Sequence, residues 1–475
     1  MPPDTSPSPP SLAEHGPAGD AARPADRRHL AGGALSSATA QAATIVAATI
    51  ASVVLARVVG PSGNGTVALA GSLTNIVAQV FALGLSTGVT YIIGAGRWAP
   101  LAAQRTIQRC GAVMALGGMA VATAVYALAG DVLLEGLERS VLVAAIVAVP
   151  FVISWTLSVA VALAQDRYEL YGSMFVLQAV VMLIGIAALV GPYGAEGAVW
   201  AITASHVLTA FCALVLVRRG SRPDPPGAGA GARVRLRETL RFGLQTWVAE
   251  LLALVAYRFD LFILNAYAST ASVGLYSVAV SVTALAWVLP SSLQAVLVPR
   301  AAQLSASGTE AAEGDVLAQR AVRHTLILLL PTAIVLALLL IVVIPLLYGD
   351  RFEETVGLGL LLLPGALALA LTKVLTGVII GRGFPRYSMI TTLIITPATV
   401  AAYFVLIKAE QATGAALATT GSYAGSMVLS LYFFLRVTRL PVLSLLPRRE
   451  DLGAYSQALD ALGHYARHRL PGGRG

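Results

Sequence analysis

A chain of 475 residues that is 57% hydrophobic and only 12% charged lies far from the roughly 25% charged residues of soluble domains. This excludes a water-soluble enzyme or binding module. Two cysteines, Cys110 and Cys212, fall in or beside apolar runs and imply neither a disulfide framework nor a metal cluster. The net charge of +8 is informative through its placement rather than its sum.

In chain order, residues 1–33 read as a tail of Pro, Ala, Ser and charge, disordered and without the apolar core of a signal peptide. Apolar runs of about 20 residues, the length that crosses about 30 Å of hydrocarbon, then recur. They predict twelve membrane helices at about 34–56, 66–94, 107–129, 141–164, 170–190, 195–217, 242–264, 272–298, 325–348, 356–380, 388–407 and 412–435. The alternating ten-residue segments of a membrane β-barrel are absent. The predicted organisation is a first six-helix half (34–217), a cytoplasmic Arg/Pro/Gly-rich linker (218–241), a second half (242–436) and a basic cytoplasmic tail (437–475). Leu452, Tyr455, Leu459 and Leu462 recur at helical spacing in that tail and mark a candidate surface helix.

Charge orients the helices. With the N-terminal tail in the cytoplasm, the inner loops carry sixteen basic residues, among them Arg97, Arg105, Arg109, Arg167, Arg218, Arg241 and Arg382. The outer loops carry four: Arg57, Arg139, Arg351 and Lys408. The positive-inside rule places both termini in the cytoplasm.

Landmarks repeat between the halves. Gly65 and Gly274 lie 209 positions apart, Pro150 and Pro364 214, Tyr171 and Tyr387 216, Gly197 and Gly414 217. Two six-helix halves of like orientation imply an axis along the membrane normal, with a substrate site between them. Three ionisable residues lie inside the seventh helix. Glu250, nine residues past Arg241, is about 14 Å deep, and Arg258, seventeen past it, about 25 Å. Asp260 is two residues from Arg258, about 200° around the helix, so the two cannot pair on it. Intramembrane charges face a protein interior or a wet cavity and mark functional paths.

The stretch VGLYSVAVSVTALAWVLPSSLQAVLVPRAAQL (273–304) resembles the eighth segment of the polysaccharide flippases, within the multidrug/oligosaccharidyl-lipid/polysaccharide exporter superfamily. YRFDLFILNAYAS (257–269) is similar to that family's seventh segment, and ARVVGPSGNGTVALAGSL (56–73) to its first outer loop and second helix. The resemblance implies an all-α membrane fold, a V-shaped bundle of two six-helix halves. It also implies alternating access and a prenyl-pyrophosphate-linked oligosaccharide as cargo, moved from the inner to the outer leaflet of a bacterial plasma membrane. Membrane lipids and polysaccharide-assembly enzymes are the partners it implies.

Such cargo needs fixed cations for its pyrophosphate and polar groups for its glycan. Arg258 and Lys373 are the candidate cations, Asn75 and Gln79, one turn apart, the candidate glycan contacts, and Glu250 and Asp260 the candidates for ion coupling. Each has a structural alternative. Arg258 would pair with a carboxylate of another helix, Lys373 would snorkel to the headgroups, and Glu250 would be a neutral hydrogen-bonded carboxyl. Asp260 would sit at the outer interface, and Asn75 and Gln79 would be polar links between helices.

No P-loop, metal-ligand spacing or nucleophile–base pair occurs, so an ion or substrate gradient is the expected drive, with no cofactor and no enzymatic role. Arg-rich 221–238 beside a membrane reads as a lipid contact, not a nucleic-acid site. Two other functions remain open at this level: an ion-coupled multidrug exporter of the same superfamily, and a membrane-embedded polysaccharide polymerase or glycosyltransferase. The exporter would want an acidic cavity for cationic cargo. The enzyme would want a sizeable outer loop, and every outer loop here is short.

Overall fold

The computed structural model describes residues 24–451 apart from 95, 134–136, 166, 222–230, 307–310 and 449. All regular structure among the described residues is helical, as hydrocarbon requires of a chain whose backbone groups must pair within each segment. The helices are α1 (Pro24–Ala82), α2 (Leu85–Gly94), α3 (Pro100–Leu133), α4 (Arg139–Leu163), α5 (Tyr168–Gly220) and α6 (Ala232–Tyr267). They continue with α7 (Thr270–Thr283), α8 (Val288–Ala306), α9 (Ala311–Leu338), α10 (Ile344–Tyr348), α11 (Glu353–Gly381) and α12 (Pro385–Thr438).

Eight helical stretches among the described residues are long and apolar enough to cross a membrane. Three of them, in α1, α5 and α12, contain a single residue of non-helical backbone: Gly60 (φ 69°), Gly194 (φ 59°) and Gln411 (φ 50°). At these residues the chain doubles back. Gln178 meets His206 across Gly194 at 2.9 Å, and Thr399 meets Ser422 across Gln411 at 2.6 Å. Each hairpin therefore crosses twice. A further pass is α6, whose Glu250, Arg258 and Asp260 keep its hydropathy low, which brings the helical passes among the described residues to twelve.

Several predicted boundaries change. The outer connections expected at 57–65, 191–194 and 408–411 shrink to one-residue turns. At the first, Gly60 takes a positive φ at little steric cost and Pro61 starts the next limb with its φ already set. Residues 24–33 of the expected disordered tail belong to α1, and the rest of that tail lies outside the described residues. The expected linker 218–241 narrows as well. Arg218–Gly220 complete α5 and Ala232–Arg241 open α6, because nothing in RVRLRETLR breaks a helix once Gly231 (φ 76°) has started one. The candidate surface helix falls almost wholly outside the described residues.

The two halves repeat in three dimensions. A Cβ on Gly65 would strike the Thr270 carbonyl, and a Cβ on Gly274 would strike that of Pro61. These contacts exchange under the same 209-residue offset, so a pseudo-two-fold axis passes between them. The helix-end glycines behave alike: a Cβ on Gly197 would meet the Leu189 carbonyl, and one on Gly414 that of Leu406, both pairs 217 apart. The turn residues Gly194 and Gln411 share that offset. Glycine relieves the positive φ in the first half, whereas Gln411 holds it with a side chain.

Small residues set the packing. Ala103, Ala144, Ala162, Ala213, Ala279, Ala370 and Ala415 are completely buried. Between membrane helices, van der Waals contact at close approach replaces the hydrophobic drive that lipid tails do not supply. Across the halves, α7 packs on α1, and α2 and α3 pack on α6. Past the 3₁₀ turn Ala284–Trp287, α8 packs instead on α9 and α11 of its own half. The halves meet along α7 and along the start of α6, whereas α8 turns away into its own half.

Candidate functional site

Where the halves meet, a groove of about 450 Å³ opens between both limbs of α1, the first limb of α5, α6 and α7. Its polar lining comes from Ser52, Asn64, Ser72 and Asn75 of the first half and from Arg258, Ser277 and Ser281 of the second. Arg258 is the one charged residue among the described lining. It is exposed to the groove and makes no hydrogen bond or ion pair with the described residues. The expected carboxylate partner on another helix is therefore not found among them. Asn75 sits on the α1 wall and donates to the Gly71 carbonyl at 2.7 Å, which leaves its amide oxygen toward the groove free to accept. Asn64 bridges the halves, donating to the Gly274 carbonyl and to Ser277 Oγ, both at 3.3 Å. One guanidinium amid amide and hydroxyl groups can hold an anion and hydrogen-bond a polyol beside it.

The other candidates lie elsewhere. Gln79 is one turn from Asn75 but outside the groove lining; its carbonyl accepts from Trp247 Nε1 at 3.0 Å across the half-to-half contact. Lys373 is half-buried on α11 and does not reach the groove either, so the two expected cations do not share one site. Glu250 Oε1 accepts from Thr87 Oγ1 of α2 at 3.5 Å, which makes it a contact between the halves. Asp260, with an outer interface as its alternative, is instead buried (3% exposed) on the face of α6 away from Arg258. It accepts from Tyr276 Oη (2.8 Å) and from the Leu261 N–H (2.8 Å). Tyr276 Oη in turn meets Thr419 Oγ1 at 2.8 Å, and Thr419 meets Tyr403 Oη at 3.0 Å. This buried chain joins α6, α7 and both limbs of α12. Thr419 and the tyrosines carried no signal in the sequence, because hydroxyl residues are ordinary in membrane helices. Asn64, in the GPSGNGT stretch, could have been found as a polar residue opening a helix.

The half-to-half contact is closed at both ends, by α2 against α6 at one and by α1 against α10 at the other. At the Arg97 end, Tyr91 and Phe242 stack with centroids 4.2 Å apart, and the Gly84 and Gly243 backbones come so close that a Cβ on either would strike the other's carbonyl. Arg97 Nη2 pairs with Glu238 Oε1 at 3.0 Å, but both side chains are exposed, at 51% and 40%. Such a pair contributes at most about 1 kcal/mol, so the backbone approach and the ring stack hold this end. At the other end Arg57 donates to the Leu346 and Leu347 carbonyls, and Tyr348 Oη to Ser52 Oγ at 3.1 Å. Glu250 lies between the two closures, where separation of α2 from α6 would expose it. Replacing Glu250 by Gln is thus expected to lower transport driven by a pH gradient several-fold while folded protein stays at wild-type level. Unchanged transport at every gradient would leave Glu250 as a strut between helices and remove it from coupling.

Sequence comparison with curated proteins yields no match. The fold is similar to that of a lipid II flippase, MurJ, solved in an inward closed conformation, with a TM-score of 0.68 at 12% identity over 85% of this chain and 89% of that one. It is similar to an inward-facing multidrug resistance MATE family transporter of the MOP superfamily, with a TM-score of 0.61 at 15% identity over 83% and 94% of the two chains. A MOP superfamily transporter from Pyrococcus furiosus, whose binding pocket is described as of reverse polarity, gives 0.53 at 12% identity over 86% and 95%. These likenesses establish a common architecture, whereas kinship is carried by sequence: residues 54–357, well over half of this multi-pass membrane protein, match the family described as polysaccharide biosynthesis protein, and the chain belongs to that family.

Proposed function

We propose that the protein is a flippase that moves a lipid-linked oligosaccharide from the inner to the outer leaflet of a bacterial plasma membrane for cell-surface polysaccharide synthesis. The observation that carries the reading is the groove at the junction of the halves, with one guanidinium among amides and hydroxyls. A prenyl pyrophosphate presents an anion to Arg258, and the glycan beside it presents hydroxyls to Asn75 and Ser281. A cationic drug would face the same guanidinium with like charge, which disfavours the multidrug reading. Membership of a polysaccharide biosynthesis family and a fold similar to that of a lipid II flippase agree with lipid-borne sugar as cargo and with transport rather than group-transfer chemistry. Alternating access would part α2 from α6 at the Arg97 end, which the charge distribution puts in the cytoplasm along with both termini. Polysaccharide-assembly enzymes would supply and take up the cargo.

The direct test is reconstitution in liposomes with a fluorescent lipid-linked oligosaccharide, followed by an impermeant quencher. The protein should bring the label to the opposite leaflet faster than protein-free liposomes do. Export of cationic dyes with no movement of the glycolipid would reject this function in favour of a drug exporter.

A further inference from the structure

The first half carries a second lined path, on its outer wall and apart from the junction groove. Between α4 and the second limb of α5 runs an apolar trough of about 670 Å³, with Val147, Phe151, Trp200, Leu208, Phe211 and Leu214 along it. Leu208 and Phe211 stand open at 47% and 66% exposure. Beside its Leu214 end lies a separate cavity of about 440 Å³ lined by Arg105, Gln108, Arg109 and Arg218. Two features make them neighbours. Arg218 lies one turn past Leu214 on the same face of α5. Gln108 Nε2 also donates at 2.9 Å to the carbonyl of Ser154, a residue of the trough wall. Arg105 and Arg109 are one turn apart on α3, and among the described residues none of the three arginines pairs with a carboxylate.

Length and charge together select an occupant. From Trp200 to Arg218 is eighteen residues of helix, about 27 Å, close to the full hydrocarbon thickness of about 30 Å. A phospholipid chain fills one leaflet, roughly half of that. The far end of the trough has no charged residue in its lining to hold a second headgroup. Three convergent guanidiniums suit a pyrophosphate better than a single phosphodiester, since each can engage two oxygens. Basic pockets between membrane helices are recognised headgroup sites.

We propose that this trough binds a long-chain prenyl pyrophosphate, its head on Arg105, Arg109 and Arg218 and its tail along α5 toward Trp200. The site rests on the flippase reading and deepens it: the lipid carrier docks on the wall of the first half before the glycan enters the junction groove.

The test uses the full-length protein in phosphatidylcholine nanodiscs with a photoreactive polyprenyl pyrophosphate carrying no sugar, the labelled peptides being mapped by mass spectrometry. Labelling is expected within 147–151 and 200–214. It should be competed by unlabelled polyprenyl pyrophosphate and not by an equal concentration of phosphatidylglycerol or inorganic pyrophosphate. The triple substitution Arg105→Gln, Arg109→Gln, Arg218→Gln should reduce it about tenfold or more, as should Ala204→Trp, which fills the trough and leaves the arginines intact. Arg258→Ala should keep this labelling while losing transport. Equal competition by phosphatidylglycerol, equal competition by inorganic pyrophosphate, or unchanged labelling in the Ala204→Trp variant would each overturn the site. If the triple variant does not fold, Arg218→Gln alone with Ala204→Trp decides. Labelling that follows these expectations in a protein that moves no glycolipid would keep the site and reject the flippase; transport without such labelling would do the reverse.

Discussion

Replacing Arg258 by Ala is expected to reduce transport of lipid-linked oligosaccharide to about a tenth or less, with the melting temperature in detergent unchanged. The expectation follows from the exposed guanidinium on the groove wall and from the absence of any ion-pair partner for it among the described residues. Removing a guanidinium that makes no ion pair among the described residues leaves no ion-pair partner stranded. Removing one partner of a buried ion pair typically costs about 3–5 kcal/mol. Lysine at 258 keeps the charge and loses the planar fork, so it should retain part of the activity. The measurement is initial transport rate and melting temperature on both variants. A loss of stability in the Ala variant that accounts for all the lost transport would take Arg258 out of the site.

Asp260 should behave in the opposite way. It is buried, it accepts hydrogen bonds from Tyr276 and the Leu261 N–H, and it anchors a hydroxyl chain through Thr419 to Tyr403. Asp260→Leu is therefore expected to lower stability by roughly 1–3 kcal/mol through the bonds it strands, read as a drop in melting temperature. Asp260→Asn keeps an acceptor for the Leu261 N–H, and Tyr276 can turn its proton toward Thr419, so most of that stability should return. If Asp260 also serves ion coupling, Asp260→Asn should be stable yet transport at a rate that no longer responds to a pH gradient. A stable Asn variant with wild-type gradient dependence would reduce Asp260 to a structural anchor. Tyr276→Phe separates the contributions further, since it removes one hydrogen bond and leaves the carboxyl.

Much of the architecture was legible in residues. The length of each apolar run sets the number of crossings, because hydrocarbon admits only helices of a given span. The landmarks at offsets of 209 and 217 foretold the reciprocal contacts of Gly65 with Thr270 and Gly274 with Pro61, and the matched turns at Gly194 and Gln411. A glycine at a helix end has a geometric reason that survives divergence of everything around it. Helix ends were less legible. Gly60–Pro61 reads equally as a loop or as a one-residue turn, and the Arg-rich run 232–241 lacks the apolar pattern that betrays a helix, although its residues are good helix formers.

The amino-acid sequence by itself determined the membrane class, the number of helical passes and the pseudo-repeat, since all of these follow from spacing along a helix of fixed rise. Only the tertiary structure decided which way the intramembrane charges face. A helix apolar all round carries no moment to set its rotation about its own axis; neighbours do so through the close approach of small residues. That rotation turned Arg258 into the groove beside Asn75, sent Asp260 to Tyr276 and Thr419, left Lys373 and Gln79 outside the groove, and gathered Arg105 and Arg109 of α3 and Arg218 of α5 around one cavity.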